Sequence, residues 1–467
     1  MSNQAASEYQ FTEVLLDADR TLGTGGKLGL IYPINLHAMT GEINFFEDIT
    51  KGYVTATIVI LDDLGLMNEH IQLQGTETIK ITIGGVEEEA KNYTFTIEMK
   101  VVSIIKQVKT NDKSSVYAIN AISKHAYADS AVKVSRSYTG QLEDIAEKVL
   151  NSYLDVEVDR NEKYIAADEE SMQGRVKLVL PYISPLESVD WLMERATGPD
   201  GSPYFAWQTI WDQKEDGQDV MRFGTFKSMV GQGIKEAKAN TEYQYVYSMG
   251  APAKKVTALA QRKIIQSYEN NNREDTLRMI ADGAVGSNVS NLDTYTTQKI
   301  SRHFNLGDYI EQLKKEVPEG KNLLGTAYDP EHKLKIEDKE DIAASFDARI
   351  RNLVTSYGTY EWENSYHDVY DQSHLINKIK KSAIMSMLQK NLMDVTLTGY
   401  NTLANKLSVG DVVLLTFDSQ NTEDDAAELA KKDERTSGFY LILNSRNIFN
   451  GTRHQTIVTG AKVADML

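Results

Sequence analysis

Glu42-Ile43-Asn44-Phe45-Phe46-Glu47-Asp48-Ile49 opens a run of alternating apolar and polar side chains that continues through Tyr53–Ile60 (YVTATIVI) and Thr76–Ile83 (TETIKITI). The same texture returns near the other end, in Met393–Tyr400 (MDVTLTGY), Asp411–Phe417 (DVVLLTF), Gly438–Asn444 (GFYLILN) and Gln455–Gly460 (QTIVTG). A period of two places one face of a strand in a core and the other in water. Two β-modules therefore bracket a more helical, acidic middle.

Working outward from these runs, residues 41–122 hold strands near Tyr53–Leu61, Glu77–Ile83, Tyr93–Ile104 and Ser115–Ile122. Gly84-Gly85 and Asn111-Asp112 supply the turns. Residues 1–40, with the glycines 23, 25 and 26, read as an irregular leader. The period then changes: Leu142, Ile145, Ala146, Val149 and Leu150 share one helical face. Arg175–Leu180 alternates as a strand. After Pro181, Ser184 is an N-cap, Pro185 the first helical residue and Glu187 the third position of a capping box. Leu186, Val189, Met193 and Ala196 form the inner face, and Gly198-Pro199-Asp200-Gly201 ends the helix. The aromatic stretches 203–211 and 220–226 read as a hairpin. The chain from 236 to about 375 is polar and weakly periodic, as in Glu269–Asp275 (ENNNRED) and the charged run Glu311–Asp341. It reads as helices and long connections on the outside. Ile376, Ile379, Ala383, Ile384, Met387 and Leu388 mark an amphipathic helix. The loop 418–437 is charged and reads as exposed.

The expected organisation is a β-rich α+β chain in four parts: 1–122, a first β-barrel with its leader; 123–235, an inserted α/β domain; 236–391, connecting strands and a helical, polar periphery; and 392–467, a second β-barrel completed by part of 236–260. The modules echo one another. Leu73-Gln74-Gly75-Thr76-Glu77 leads into TIKITI as Leu407-Ser408-Val409-Gly410-Asp411 leads into VVLLTF. Few strands per module favour a small barrel or curved sheet.

The 467 residues suit two to four domains, and 41% hydrophobic with 25% charged residues is ordinary for a folded chain. There is no cysteine, which excludes disulfides, thiolate nucleophiles and cysteine metal sites. No apolar run is long enough to cross a bilayer. The first residues lack the charged and apolar regions of a signal peptide, so synthesis and folding in a cytoplasm are expected. The net charge of −17 argues against a surface devoted to gripping DNA and suits one that DNA slides past.

The search for chemistry finds little. Leu22–Leu28 (LGTGGKL) fails the phosphate-loop pattern, because Thr21 stands where its first glycine belongs and Leu28 where Ser or Thr belongs. His367, Asp371 and His374 have spacings that would suit a metal on a helix, though a solvated polar face accounts for them too. No G-x-S-x-G elbow or H-E-x-x-H pair occurs. Tyr204, Phe205, Trp207 and Trp211 could form a stacking platform for sugars or bases, or fill a core. No catalytic, cofactor-binding or metal-binding residue is assigned, and the chain is expected to be no enzyme.

Five segments carry a resemblance: EINFFEDITKGYVTATIVILDD with LQGTETIKITI; SYTGQLEDIAEKVL; LPYISPLESVDWLMERATGPDGSPYFAW with FGTFKSM; INKIKKSAIMSMLQKNLMDVTLTGYNTLANKLSVGDVVLLTF; and SGFYLILNSRNIF with HQTIVTGAKV. In this order, across most of residues 41–463, they resemble the baseplate hub proteins of contractile-tailed, T-even-like bacteriophages. That tube-like fold is shared with type VI secretion spike proteins. Residues 240–370 carry no such likeness. The resemblance implies two similar antiparallel β-barrel tube domains with peripheral domains. It implies a homotrimer whose six barrels adapt the six-fold tail tube to a trimeric central spike. Implied partners are that spike, tail tube or tube-initiator proteins, the tape measure protein and baseplate wedge proteins. DNA would pass only in transit, nothing would insert in a membrane, and the place of action would be the virion. Acidic side chains are expected to face the channel. Competing readings are a type VI secretion hub and a cell-wall glycan-binding or hydrolytic tail component.

Overall fold

A computed structural model describes residues 9–18, 33–69, 71, 73–85, 94–110, 114–161, 163–165, 175–198, 201–247, 262–273, 276–292, 299–320, 322–324, 350–352, 367–368, 372–418, 432–451 and 453–466. The first module contains β1 (Tyr9–Asp17), β2 (Ile34–Asn35), β3 (Thr40–Asp48), β4 (Thr55–Asp62), α1 (Leu66–Glu69), β5 (Thr78–Gly85), β6 (Thr94–Lys109) and β7 (Ser115–Ser123). The leader expectation is corrected here, because Tyr9–Asp17 is a strand of this module. Tyr9, Phe11, Val14 and Leu16 are all buried, but a bulge between Phe11 and Glu13 breaks the period of two that would have revealed it.

Next come α2 (Lys124–Asp129), β8 (Ser137–Gly140), α3 (Leu142–Leu154), β9 (Glu157–Asp159), β10 (Val176–Val179), α4 (Pro185–Met193), β11 (Tyr204–Trp207), β12 (Val220–Thr225) and α5 (Phe226–Ala239). The start of α4 is as read from the sequence: Glu187 N–H donates to Ser184 Oγ at 3.3 Å, and Ser184 N–H donates to Glu187 Oε2 at 3.5 Å. Helices α3 and α4 bury Ile145, Val149, Val189 and Leu192 in a core of their own with Phe223.

The chain continues through β13 (Gln244–Tyr247), β14 (Ser267–Asn270), α6 (Thr276–Ala281), β15 (Gly286–Leu292), β16 (Lys299–Asn305), α7 (Leu306–Glu316), β17 (Ile350–Asn352), β18 (His367–Asp368) and α8 (Gln372–Lys390). It ends in β19 (Leu392–Thr398), α9 (Tyr400–Asn405), β20 (Val412–Phe417), β21 (Gly438–Asn450) and β22 (Arg453–Asp465). The middle is less peripheral than its composition suggests. In α7, Leu306, Tyr309, Ile310 and Leu313 form a buried stripe that packs into the same core as Ala383, Ile384, Met387 and Leu388 of α8. The surrounding charges on the outer face of α7 hide that stripe in the sequence.

One large sheet runs β14-β19-β22-β21-β3-β4-β7-β6-β5-β1-β2, with β20 on β21 and β13 on β20. It is two modules joined edge to edge. In the first, residues 34–48 pair at Ile34 with β1 and from Thr40 with β4, so one chain segment brings the two edges of the sheet round to each other. In the second, β13 pairs with β20 and meets Ile264, just ahead of β14, in a single Val246–Ile264 bridge. Among the described residues neither module closes as a continuous barrel ladder.

Let the strands of each module be counted one to six in chain order, with residues 34–48 and 264–270 as the second. The order around both modules is then 1-2-3-6-5-4 and back to 1. A short helix, α1 or α9, falls between strands three and four in each, with Met67 or Leu403 buried. One strand differs. β1 runs antiparallel to β5, whereas β13, which follows α5, runs parallel to β20. The expectation of wholly antiparallel modules fails at that strand alone.

Candidate assembly interface

The two modules share several pairings at matching positions. Val101 N–H donates to the carbonyl of Glu77 at 2.9 Å, and Ile442 N–H donates to that of Asp411 at 2.9 Å. One residue further, β6 and β21 both carry a bulge, at Val101/Ser103 and at Ile442/Asn444. The sequence echo between 73–77 and 407–411 thus falls on the turn into the fourth strand of each module. Gly75 (φ +78°) and Gly410 (φ +92°) hold the left-handed conformation that such a turn requires. The acidic residue behind each glycine is buried. Glu77 accepts N–H donors from Gln74, Gly75 and Thr76 at 2.8–3.1 Å. Asp411 accepts the Ser408 N–H at 3.0 Å and pairs with Lys163 at 2.8 Å. Side-chain pairs match too: Thr57 Oγ1 donates to Asn120 at 3.2 Å, and at the same place Thr459 Oγ1 donates to Asp394 at 2.5 Å.

The modules meet where β21, past its bulge, leaves β20 and pairs through Asn444–Asn450 with Asp48–Glu42 of β3. Arg446 donates to Asn44 Oδ1 at 3.0 and 3.1 Å and lies over the Phe46 ring, while Asn450 Nδ2 donates to Glu42 Oε2 at 2.7 Å. Phe449 then buries itself in the first module, edge-on to Tyr9 and Phe45 and stacked on His454 at 4.0 Å. Burying such side chains stabilises the joint by about 1.5–3 kcal/mol each. The imidazole of His454 is pushed down to about 3 by that burial.

A polar chain ties the α/β region beneath both modules. Glu47 Oε1 accepts the Ile210 N–H at 2.8 Å. Arg222 places two nitrogens on Asp212 Oδ1 at 2.8 and 2.9 Å and donates to the Tyr164 hydroxyl at 2.8 Å; that hydroxyl reaches Asp411 at 3.3 Å. Burial pushes the Glu47 carboxyl up to about 8. The folded state therefore holds a proton that the unfolded chain releases above about pH 4.5. Stability from this group is complete below that pH and declines by about 1.4 kcal/mol per pH unit until about pH 8. Glu47→Gln is expected to flatten the decline when thermal unfolding is followed at pH 5, 6.5 and 8. An unchanged slope would assign it to another group.

Sequence reasoning missed one constellation with an acid–base look. His125 Nδ1 lies 2.8 Å from Asp219 Oδ2 and its Nε2 2.7 Å from the Gly52 carbonyl. Both ring nitrogens are engaged, and Ser123 Oγ donates instead to Gln208 Oε1 at 2.6 Å. His125 in α2 is thus tied to the segment just ahead of β12, and Ser123 at the end of β7 to the segment just after β11, with no hydroxyl left on the imidazole to be activated. His125 and Asp219 are 94 residues apart, and only the fold brings them together.

The other candidates are dispersed. Leu22–Leu28 and Asp371 lie outside the described residues. His367 sits in β18 and His374 is buried in α8, so the two do not share a helix. Among the described residues no group of three His, Asp or Glu is placed to hold a metal, and no helix is long and apolar enough to cross a membrane. Of the two readings of the aromatic stretch, the core is the one found. Tyr204, Phe205 and Trp207 are buried, Trp207 Nε1 donates to the Val409 carbonyl at 3.0 Å, and Trp211 packs edge-on to Phe95 at 5.1 Å.

Among solved structures, the chain is similar to the 43 kDa tail protein of prophage MuSo2 from Shewanella oneidensis, at 11% identity over 96% of this chain and 98% of that chain, with TM-score 0.47. It is similar to the tail protein from Neisseria meningitidis MC58, at 10% identity over 97% of both chains, with TM-score 0.47. A type VI secretion component of E. coli, described as structurally similar to the T4 tail proteins gp27 and gp5, matches over 91% of this chain and 74% of that one, at 8% identity and TM-score 0.39. No family model and no curated protein matches the chain.

Proposed function

We propose that this chain is a non-enzymatic hub of a phage-type tail baseplate. Three copies would form a ring of six near-equivalent modules, seating a six-fold tube on one face and a three-fold spike on the other. The supporting observation is the repeated 1-2-3-6-5-4 strand order within one chain, with matching turns and bulges. A trimer of such a chain offers six similar surfaces while keeping three-fold symmetry. The tape measure protein and then DNA would pass through the ring, wedge proteins would surround it, and the virion would be its place of action.

The wet face of the joined sheet suits a channel wall. It presents Thr57, Asn120, Thr396 and Thr459, with Arg446 and Asp394 among them. Hydroxyls and amides stand on this face with charges of both signs among them, Arg446 beside Asn44 and Asn450 beside Glu42. Such a wall offers passing phosphates neither strong attraction nor strong repulsion. The type VI hub reading shares this geometry and differs in its neighbours. Light scattering of the purified chain, alone and with a trimeric spike, is expected to give three times the chain mass. A monomer in both conditions would sink the proposal.

A further inference from the structure

We infer that the β6 arm of one copy pairs, antiparallel and in a fixed register, with the outer edge of β14 in the next copy. This repeats between chains the joint that β21 and β3 make within one. The inference rests on the ring proposed above for the number of copies; the pairing itself comes from the equivalence of the two modules.

The joint within the chain uses the fifth strand of the second module, past its bulge, and the second strand of the first. The corresponding fifth strand of the first module is β6. Past Val101 it pairs only with β7 among the described residues, and residues 102–110 are all exposed. Val102, Ile104, Ile105 and Val108 are 41–55% exposed, which is unusual for four apolar residues on one strand. The corresponding second strand of the second module is β14. Among the described residues it is the terminal strand of the sheet, with Glu269 and Asn270, and Asn272 and Arg273 just after it, exposed. Each copy therefore carries one half of the joint at each end, and such halves meet head to tail.

The register follows from pairings already described. A second bulge in β6, at Ile104/Lys106, has no counterpart in β21, so the equivalence past it runs through the sixth strands. Lys106 faces Ala118 as Arg446 faces Ile457. Through the third strands, Asn44 faces Thr57 as Glu269 faces Asp394, and Glu42 faces Val59 as Ser267 faces Thr396. Lys106 thus takes the place of Arg446, and Glu269 that of Asn44. The Arg446–Asn44 hydrogen bond becomes a Lys106–Glu269 ion pair between copies. Thr110 and Ser267 take the places of Asn450 and Glu42, which face each other directly.

The chain has no cysteine, so an engineered pair reports cleanly. Thr110→Cys/Ser267→Cys leaves the ion pair intact, and on air oxidation it is expected to give disulfide-linked dimers and trimers on non-reducing gels. Thr110→Cys/Asn272→Cys, displaced by about 17 Å along the strand, is expected to give almost none. Lys106→Glu is expected to weaken self-association about tenfold, and Lys106→Glu/Glu269→Lys to recover it. In unmodified protein, amides of residues 103–109 are expected to gain hydrogen-exchange protection on association. A trimer by light scattering that shows equal cross-linking of both pairs, only intramolecular linkage, or unprotected β6 amides would overturn the pairing and leave the ring standing. A monomer throughout would overturn both.

Discussion

Trp207→Ala is expected to lower the stability of the unit it belongs to by about 3–5 kcal/mol. The indole is wholly buried, packs edge-on to Tyr164 at 5.2 Å and donates from Nε1 to the Val409 carbonyl at 3.0 Å. It occupies a slot cut by two glycines: a Cβ on Gly224 would stand 2.8 Å from the ring, and one on Gly410 2.7 Å. Backbone on both sides fixes that slot, so it cannot collapse around an alanine, and the upper part of the range applies. Truncation also strands the Val409 carbonyl, one residue from the left-handed Gly410 on which the fourth strand of the second module turns. Urea unfolding followed by fluorescence and by circular dichroism is the measurement. Trp207→Phe should retain part of the loss, since it restores most of the volume without the donor. A shift below about 1 kcal/mol for the alanine variant would show that the slot refills and that the indole is not the staple between α/β region and second module.

How much of this was legible depends on what each residue advertises. Strands with one wet face, such as β4 with Ala56, Ile58 and Ile60 buried, announce themselves by period. The capping box at Ser184 did so by residue type. The echo between 73–77 and 407–411 was readable because a left-handed glycine followed by a buried acid is a local requirement of the turn. By contrast β1 was hidden by its bulge, and β14 by its polarity: Ser267-Tyr268-Glu269-Asn270 has no apolar face of its own. The reversed direction of β13 left no trace, because the period of a strand's side chains is the same in either direction. The aromatic stretch 204–211 was readable as either platform or core. Nothing local distinguishes those two, since the decision rests on Gly224 and Gly410, remote in sequence.

Asp411→Ala is expected to cost about 2–4 kcal/mol, and to loosen more than its own turn. Breaking a buried ion pair typically costs about 3–5 kcal/mol because the surviving charge is left uncompensated. The lower range applies here because the Lys163 side chain is 26% exposed and retains Glu236 at 2.9 Å. Burial works against the Lys163 cation, but Asp411 beside it outweighs that and holds its pKa above the usual lysine range. The instructive comparison is Glu77, which occupies the same place in the first module. Its carboxylate is met by three N–H groups of its own turn, whereas Asp411 takes one from its turn and the rest from Lys163 and Tyr164 of the α/β region. One position in a duplicated turn has thus been kept for local capping in one copy and turned to holding a neighbouring region in the other. Hydrogen exchange should separate the two roles. Asp411→Ala is expected to raise exchange in β12 and at Tyr164, through Arg222, while Glu77→Ala raises it only in residues 73–80 and the facing part of β6. Equal, purely local effects from both variants would mean that the Asp411–Lys163 pair does not couple the second module to the α/β region.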